Sequence, residues 1–225
     1  MRGKVPTETW DTIWSKHLIT SDYSLKYISF IRGIELPYDA RVIEVGCGTG
    51  QTLNMTCDTV GFDISLQALE IAKYNCDHPV QGDIFHIPFK DNSFDLVYNS
   101  GVIEHFPEPY NLAAINEMKR ITKHGGRIVV IVPNSLCIWY RIGKFIATLL
   151  GKFEFGYEED YSPWRLKKLF DQEVVVFGLQ ALPPLATNDR ELLPVSIRER
   201  IGKIENYFPL KQFYAYTVGV IVKKG

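Results

Sequence analysis

The chain lacks a charge excess of either sign: 25 Lys plus Arg stand against 26 Asp plus Glu, a net charge of -1. A protein that works on nucleic acid usually carries a basic surplus or stripe, so no nucleic-acid partner is expected. It also lacks any apolar run of the ~18 residues that a membrane span needs. The opening stretch, Met1 to Trp14, is polar and mixed in charge, unlike the apolar segment of a secretory leader. Cysteine is scarce: Cys47, Cys57, Cys76 and Cys137 form no C-x-x-C pair and have no His at zinc-like spacing. A chain of 225 residues buries a core without disulfide staples, so these four are expected to be reduced thiols in a cytoplasmic protein with no structural metal. The phosphate-cradling G-x-x-x-x-G-K-[ST] and the dinucleotide G-x-G-x-x-G are both missing, as are internal repeats and low-complexity linkers. What remains is ordinary globular composition, 46% hydrophobic and 23% charged.

Hydrophobic period then divides the chain. Residues 7 to 32 have helical spacing at Trp10, Ile13, Trp14, Leu18, Leu25, Ile28 and Ile31. Short β-type runs follow at 41–45, 59–62, 80–81, 94–98 and 127–132. A helix from the N-cap Ser65 lies between the second and third runs and is broken by Pro79. Another runs from about Pro109 to Thr122 and is ended by Gly125-Gly126. Strand alternating with helix predicts a parallel sheet with right-handed crossovers. After residue 133 the pattern changes. Apolar helix is expected over 136–150, a short amphipathic helix over 165–170, a strand over 174–177, a polar helix over 196–206 and a long strand over 213–222. The last two strands are expected to close the same sheet.

The densest chemical signal is Val42-Ile43-Glu44-Val45-Gly46-Cys47-Gly48-Thr49-Gly50. A strand ends in an acid and then three glycines at every second position, so that backbone turns sharply and lets a ligand approach. Asp63 ends the second run, where a carboxylate accepts from both ribose hydroxyls of a nucleoside. Asp83 follows the third run and is placed to accept from an adenine amino group. Three acids at three successive strand ends face one crevice, at the edge where open α/β sheets bind ligands.

These residues, with the stretches G-F-D-I-S, G-D-I-F-H-I-P-F and F-D-L-V-Y-N-S-G-V-I-E-H-F, resemble the class I S-adenosylmethionine-dependent methyltransferases, small-molecule branch, which includes ubiquinone and menaquinone biosynthesis enzymes. The resemblance covers about residues 40 to 134. It implies a Rossmann-like three-layer α/β sandwich whose seven-stranded, mostly parallel sheet has an antiparallel closing strand and an inserted lid helix. One domain is expected over 1–225: a helical cap at 1–35, a cofactor core at 40–134, a variable lid region at 135–212 and a closing strand at 213–225. The implied cofactor is S-adenosylmethionine, leaving as S-adenosylhomocysteine. Gly46, Gly48 and nearby Glu44 would line its methionine part, with Cys47 and Gly50 also among the cofactor-binding residues. Asp63 would hold the ribose with Ile64 against the adenine, Asp83 and Ile84 would face the adenine edge, and Asn99 and Ser100 would sit beside the sulfonium. One departure stands out. Only 12 residues separate Gly50 from Asp63, which makes the first helix short by about a turn.

Glu104 and His105 follow the fourth strand, where the acceptor meets the methyl group. A neutral His suits removal of a hydroxyl proton near pH 7; it also suits a loop cap. Glu104 either orients His105 or helps hold a divalent cation, for which no third ligand is evident. The apolar helix reads as a lid over the acceptor pocket, or as a basic amphipathic surface over 136–152 that touches an anionic membrane. Trp10, Trp14 and Tyr23 are candidates to close the pocket from the opposite side. The expected acceptor is small, apolar or lipid-like, methylated at oxygen. A protein or RNA methyltransferase and a non-catalytic cofactor-binding module are the alternatives. Base methylases of this superfamily carry an Asn/Asp-Pro-Pro-aromatic stretch where this chain has Asn99-Ser100-Gly101-Val102, which counts against nucleic acid.

Overall fold

The computed structural model describes residues 7–16, 22–55, 57–151, 153, 156–182, 186–187, 190–191, 200, 204 and 207–225. Seven strands form one sheet in the order β3-β2-β1-β4-β5-β9-β6. They are β1 (Arg41–Val45), β2 (Asp58–Asp63), β3 (His78–Gln81), β4 (Phe94–Ser100), β5 (Thr122–Pro133), β6 (Val174–Leu179) and β9 (Thr217–Lys223). All run parallel except β9, which lies antiparallel between β5 and β6. Two-residue strands β7 (Ala186–Thr187) and β8 (Arg190–Glu191) pair separately. The sheet order reverses at β1, which pairs with both β2 and β4. A crevice opens at such a switch point.

Among the described residues the fold is completed by α1 (Thr7–Lys16), α2 (Asp22–Arg32), α3 (Leu66–Ala72), α4 (Tyr110–Ile121), α5 (Ile138–Leu149) and α6 (Pro163–Lys167). Strand residues alternate between two cores, as a period of two requires. Ile43, Val97, Ile128 and Val130 face α4 and α6, while Val42, Leu96, Tyr98 and Val129 face α2 and α3. The expected three-layer α/β architecture, mostly parallel with an antiparallel closing strand, is the one found.

Several local expectations are corrected. Residues 51–57 between the glycine turn and β2 hold no helix among the described positions. The whole crossover between Val45 and Asp58 has about a dozen residues, the lower bound for such a connection, and the glycine turn takes up 46–50 of them. The helix's place in the layer is taken by α2, whose Tyr27 and Ile31 pack on Val42 and Leu53. Pro79 does not end α3, which stops at Ala72; it lies inside β3, an edge strand where a missing N–H is tolerated. Gly125-Gly126 does not end α4 either. The helix stops at Ile121, and the glycines sit within β5, where the pairing with β4 shifts register between Phe94 and Leu96. The closing strand starts at Thr217, after a short 3-10 turn at Lys211–Phe213. The helix expected over 196–206 lies outside the described residues apart from Arg200 and Ile204, as do Lys152 and the side chain of Tyr23. No described helix is long and apolar enough to cross a membrane.

Candidate cofactor and acceptor site

β1 ends in the glycine turn, and the turn is pinned from below. Phe62, in β2, accepts at its carbonyl from the N–H groups of Gly46 (2.7 Å) and Cys47 (3.1 Å). Gly46 has φ +77, and a Cβ there would meet Val102 at 2.5 Å, so only glycine fits. Asp63 then locks the turn. Its Oδ2 accepts from Gly48 N–H at 2.8 Å and its Oδ1 from Ser65 N–H at 2.9 Å. Burial pushes the Asp63 carboxyl up, and these backbone donors work against that. Each carboxylate oxygen has a second lone pair, so Asp63 keeps capacity to accept from a ribose.

Glu44 is buried, and burial pushes its pKa up to about 8 against hydrogen bonds from Thr52 and Tyr98. Thr52 Oγ1 donates to Glu44, and Tyr98 O–H does so at 3.3 Å. Burial holds the Cys47 thiol well above its ordinary value, so it is no nucleophile. Across the crevice, Gly82 N–H donates to Asp63 O at 2.9 Å and brings Asp83 beside the end of β2. Asp83 Oδ1 accepts from Phe85 N–H at 3.0 Å, while Ile84 is buried in the core under α4. Asn99, at the end of β4, is turned toward Met118 of α4, 3.4 Å away, and its buried Oδ1 has no partner. Ser100 beside it is half-buried. The structure thus brings together Glu44, Gly46, Gly48 and Asp63, with Asp83 at the neighbouring strand end. The Asn99 side chain lies on the α4 side of the sheet.

Glu104 and His105 sit in a 3-10 turn, Ile103–His105, directly after β4. Residues 157–161 are laced across it. Glu159 N–H donates to Glu104 O at 2.7 Å, and Tyr157 O lies 2.9 Å from His105 Nδ1. A carbonyl oxygen only accepts, so Nδ1 carries the proton and Nε2 the lone pair. Burial lowers the His105 pKa, which keeps the ring neutral. The Glu104 side chain is buried with Oε2 unpartnered, and burial first, then nearby Glu158, raises its pKa to about 8. Glu158 in turn accepts from Tyr140 O–H and pairs with Lys144 at 3.0 Å, both on α5. Trp139 and Tyr140 pack on Tyr216, with ring centroids 5.4 and 5.0 Å apart. No group of three metal-ligating side chains occurs among the described residues.

The N-terminal helix lies over this crevice. Trp10 meets His105 edge-on at 4.9 Å, Ser65 Oγ donates to Asp11, and Trp14 lies so close to Gly48 that a Cβ there would be 2.4 Å from its ring. Sequence reasoning named Trp10 and Trp14 but missed Asp11, Tyr98 and the 157–161 strap. Only the acidic-aromatic run Tyr157-Glu158-Glu159-Asp160-Tyr161 hinted at the strap.

Residues 43–130 match a methyltransferase domain family. A provisionally named methyltransferase of Encephalitozoon cuniculi is 32% identical over 150 residues, 65% of this chain and 68% of that protein. The chain belongs to the class I S-adenosylmethionine-dependent methyltransferases, and S-adenosylmethionine is its cofactor. An uncharacterized protein of Methanocaldococcus jannaschii is 37% identical over 124 residues, 54% of this chain. The chain spans about half the length of that relative, 52%. A demethylmenaquinone methyltransferase of Staphylococcus haemolyticus is 27% identical over 177 residues, covering 71% of this chain and 68% of its own. A solved methyltransferase of Thermotoga maritima shares the fold, with a TM-score of 0.67 at 21% identity over 97% of this chain and 94% of its own.

The residues fit this cofactor. Asp63 is a buried acceptor at a strand end with lone pairs left for a ribose, and Gly46 and Gly48 add no Cβ of their own to the turn, over which Val102 and Trp14 stand.

Proposed function

We propose that the chain transfers a methyl group from S-adenosylmethionine to a hydroxyl oxygen of a small, apolar or lipid-like acceptor. The observation that carries this reading is His105: a buried, neutral imidazole whose Nδ1–H faces the Tyr157 carbonyl, so that Nε2 is the basic atom. When bound, S-adenosylmethionine supplies an electrophilic methyl on a sulfonium. Asp63 would hold the ribose, Asp83 the adenine edge, and the Gly46–Gly48 turn with Glu44 the methionine end. His105 Nε2 would take the proton of the acceptor hydroxyl as that oxygen is methylated. Glu104 and the aromatic rings of Trp10, Trp139, Tyr140 and Tyr216 favour an acceptor with an apolar body and one polar end. Likeness to a demethylmenaquinone methyltransferase supports the small-molecule class.

The test is label transfer. The protein is incubated with methyl-labelled S-adenosylmethionine and a cell extract, which is then split into lipid, small polar, protein and RNA fractions. Label in lipid or small molecules supports the proposal; label in protein or RNA overturns the acceptor class. His105→Asn retains an N–H for Tyr157 O but has no basic nitrogen. It is expected to lower the rate about 10²–10⁴-fold with cofactor affinity unchanged. An unchanged rate removes His105 as the base.

A further inference from the structure

Helix α5 is amphipathic in reverse. Its inward side carries Trp139, Tyr140 and Lys144, the last two committed to Glu158. Its outward side carries Ile138, Ile142, Phe145, Ile146 and Leu149, which are 74, 55, 64, 49 and 69% exposed. None of the helix's residues is buried. Water is a poor neighbour for such a stripe.

The geometry points to an anionic lipid surface as what covers the outward face of α5. Charge favours it: the helix has no Asp or Glu, and Arg141 is exposed beside the stripe, while Lys144 is spent inward on Glu158 and Asp160. Apolar side chains on one face with cations elsewhere on the same helix are the composition of helices that lie in a bilayer interface. The neighbouring surface continues the pattern. Tyr161 bridges Asn134 at the end of β5, and Asn134 donates to Gln212 O at 3.0 Å, so α6 and the 211–213 turn start at the same end of the sheet as α5. There Trp164, 59% exposed, pairs with the Phe213 ring at 5.6 Å, and Lys167 and Lys168 are exposed one turn along α6. Aromatic rings beside Lys mark the bilayer boundary. A second copy is a poorer fit. One face of a helix about 18 Å long falls short of the about 800 Å² per partner that a stable dimer buries. The inference goes beyond methyl transfer and does not depend on the acceptor's identity.

The test is co-sedimentation with vesicles of phosphatidylcholine alone and of phosphatidylcholine with phosphatidylglycerol in equal parts. The native chain is expected to sediment with the anionic vesicles, and less as salt rises. The double variant Ile142→Glu, Phe145→Glu is expected to bind them about tenfold more weakly or worse, since burying each side chain is worth that factor. Ile142→Ser, Ile146→Ser serves as a milder second pair, and cofactor titration reports folding for both. A native chain that stays in solution with both vesicles overturns the proposal. So does undiminished binding by both folded variants, or a native dimer in solution that the variants convert to monomers. Sedimentation needs no methyl transfer, so failure here and failure of the acceptor assignment are read separately.

Discussion

Helices α4 and α5 have the same length, twelve residues, and both are amphipathic, yet they face opposite ways. α4 turns Ala114, Ile115, Met118 and Ile121 inward and buries them completely. Its Glu117 and Arg120 face outward and clamp the 87–91 loop through Ile87, Phe89 and Asp91. α5 turns its apolar stripe outward and its Tyr140 and Lys144 inward. Period alone locates both helices; it does not say which stripe meets the protein. Orientation is decided by what lies underneath. Beneath α4 is a sheet of Val and Ile. Beneath α5 lies Glu158, whose carboxylate takes the Tyr140 hydroxyl and the Lys144 ammonium from the helix's inner side.

Paired substitutions sharpen this contrast most. Ile115→Ala in α4 is expected to cost about 2–5 kcal/mol, while Ile142→Ala in α5 stays within about 0.5 kcal/mol. Urea denaturation of the two variants measures both, and equal losses would break the comparison. The next effect in size is pH dependence. Glu44 and Glu104 hold protons in the folded chain up to about pH 8, whereas unfolded carboxyls lose theirs near the usual 4.5. The folded state therefore binds more protons in that window, and stability declines as pH rises through it. Glu104→Gln, thermally melted across the same range, is expected to flatten the decline; an unaltered slope would mean that Glu104 ionises normally. The smallest effect separates the two sides of α5 itself. Lys144→Met removes the inward partner of Glu158 and is expected to cost about 1 kcal/mol. Arg141→Met, on an exposed position, is expected to cost less than about 0.5 kcal/mol.

The cofactor half was the more legible in sequence because local chemistry fixes it. A strand, a turn that needs positive φ at Gly46 and acids at strand ends are short-range patterns, and all lie near where periodicity set them. The acceptor half is built from distant segments. His105 meets Tyr157, 52 residues on, and Asn111 donates to Tyr161 O–H across 50. No spacing rule reports such pairs. The missing helix after Gly50 belongs to the same class of error. The short interval was visible, but the filling of its place by Tyr27 and Ile31 from upstream was not.

That substitution changes what the first 35 residues are. Expected as a cap, they include a structural wall. Tyr27 and Ile31 lie against Val42, Leu96, Tyr98 and Val129, the apolar undersides of three adjoining strands. The Tyr27 hydroxyl reaches Thr217 at 3.3 Å, the first residue of the last strand. The segment that carries the family's signature, 43–130, is therefore not a module that could be cut out and moved intact into another protein. Part of its second layer, α2, is supplied from outside its own borders beside α3, and a transplant would have to bring α2 with it.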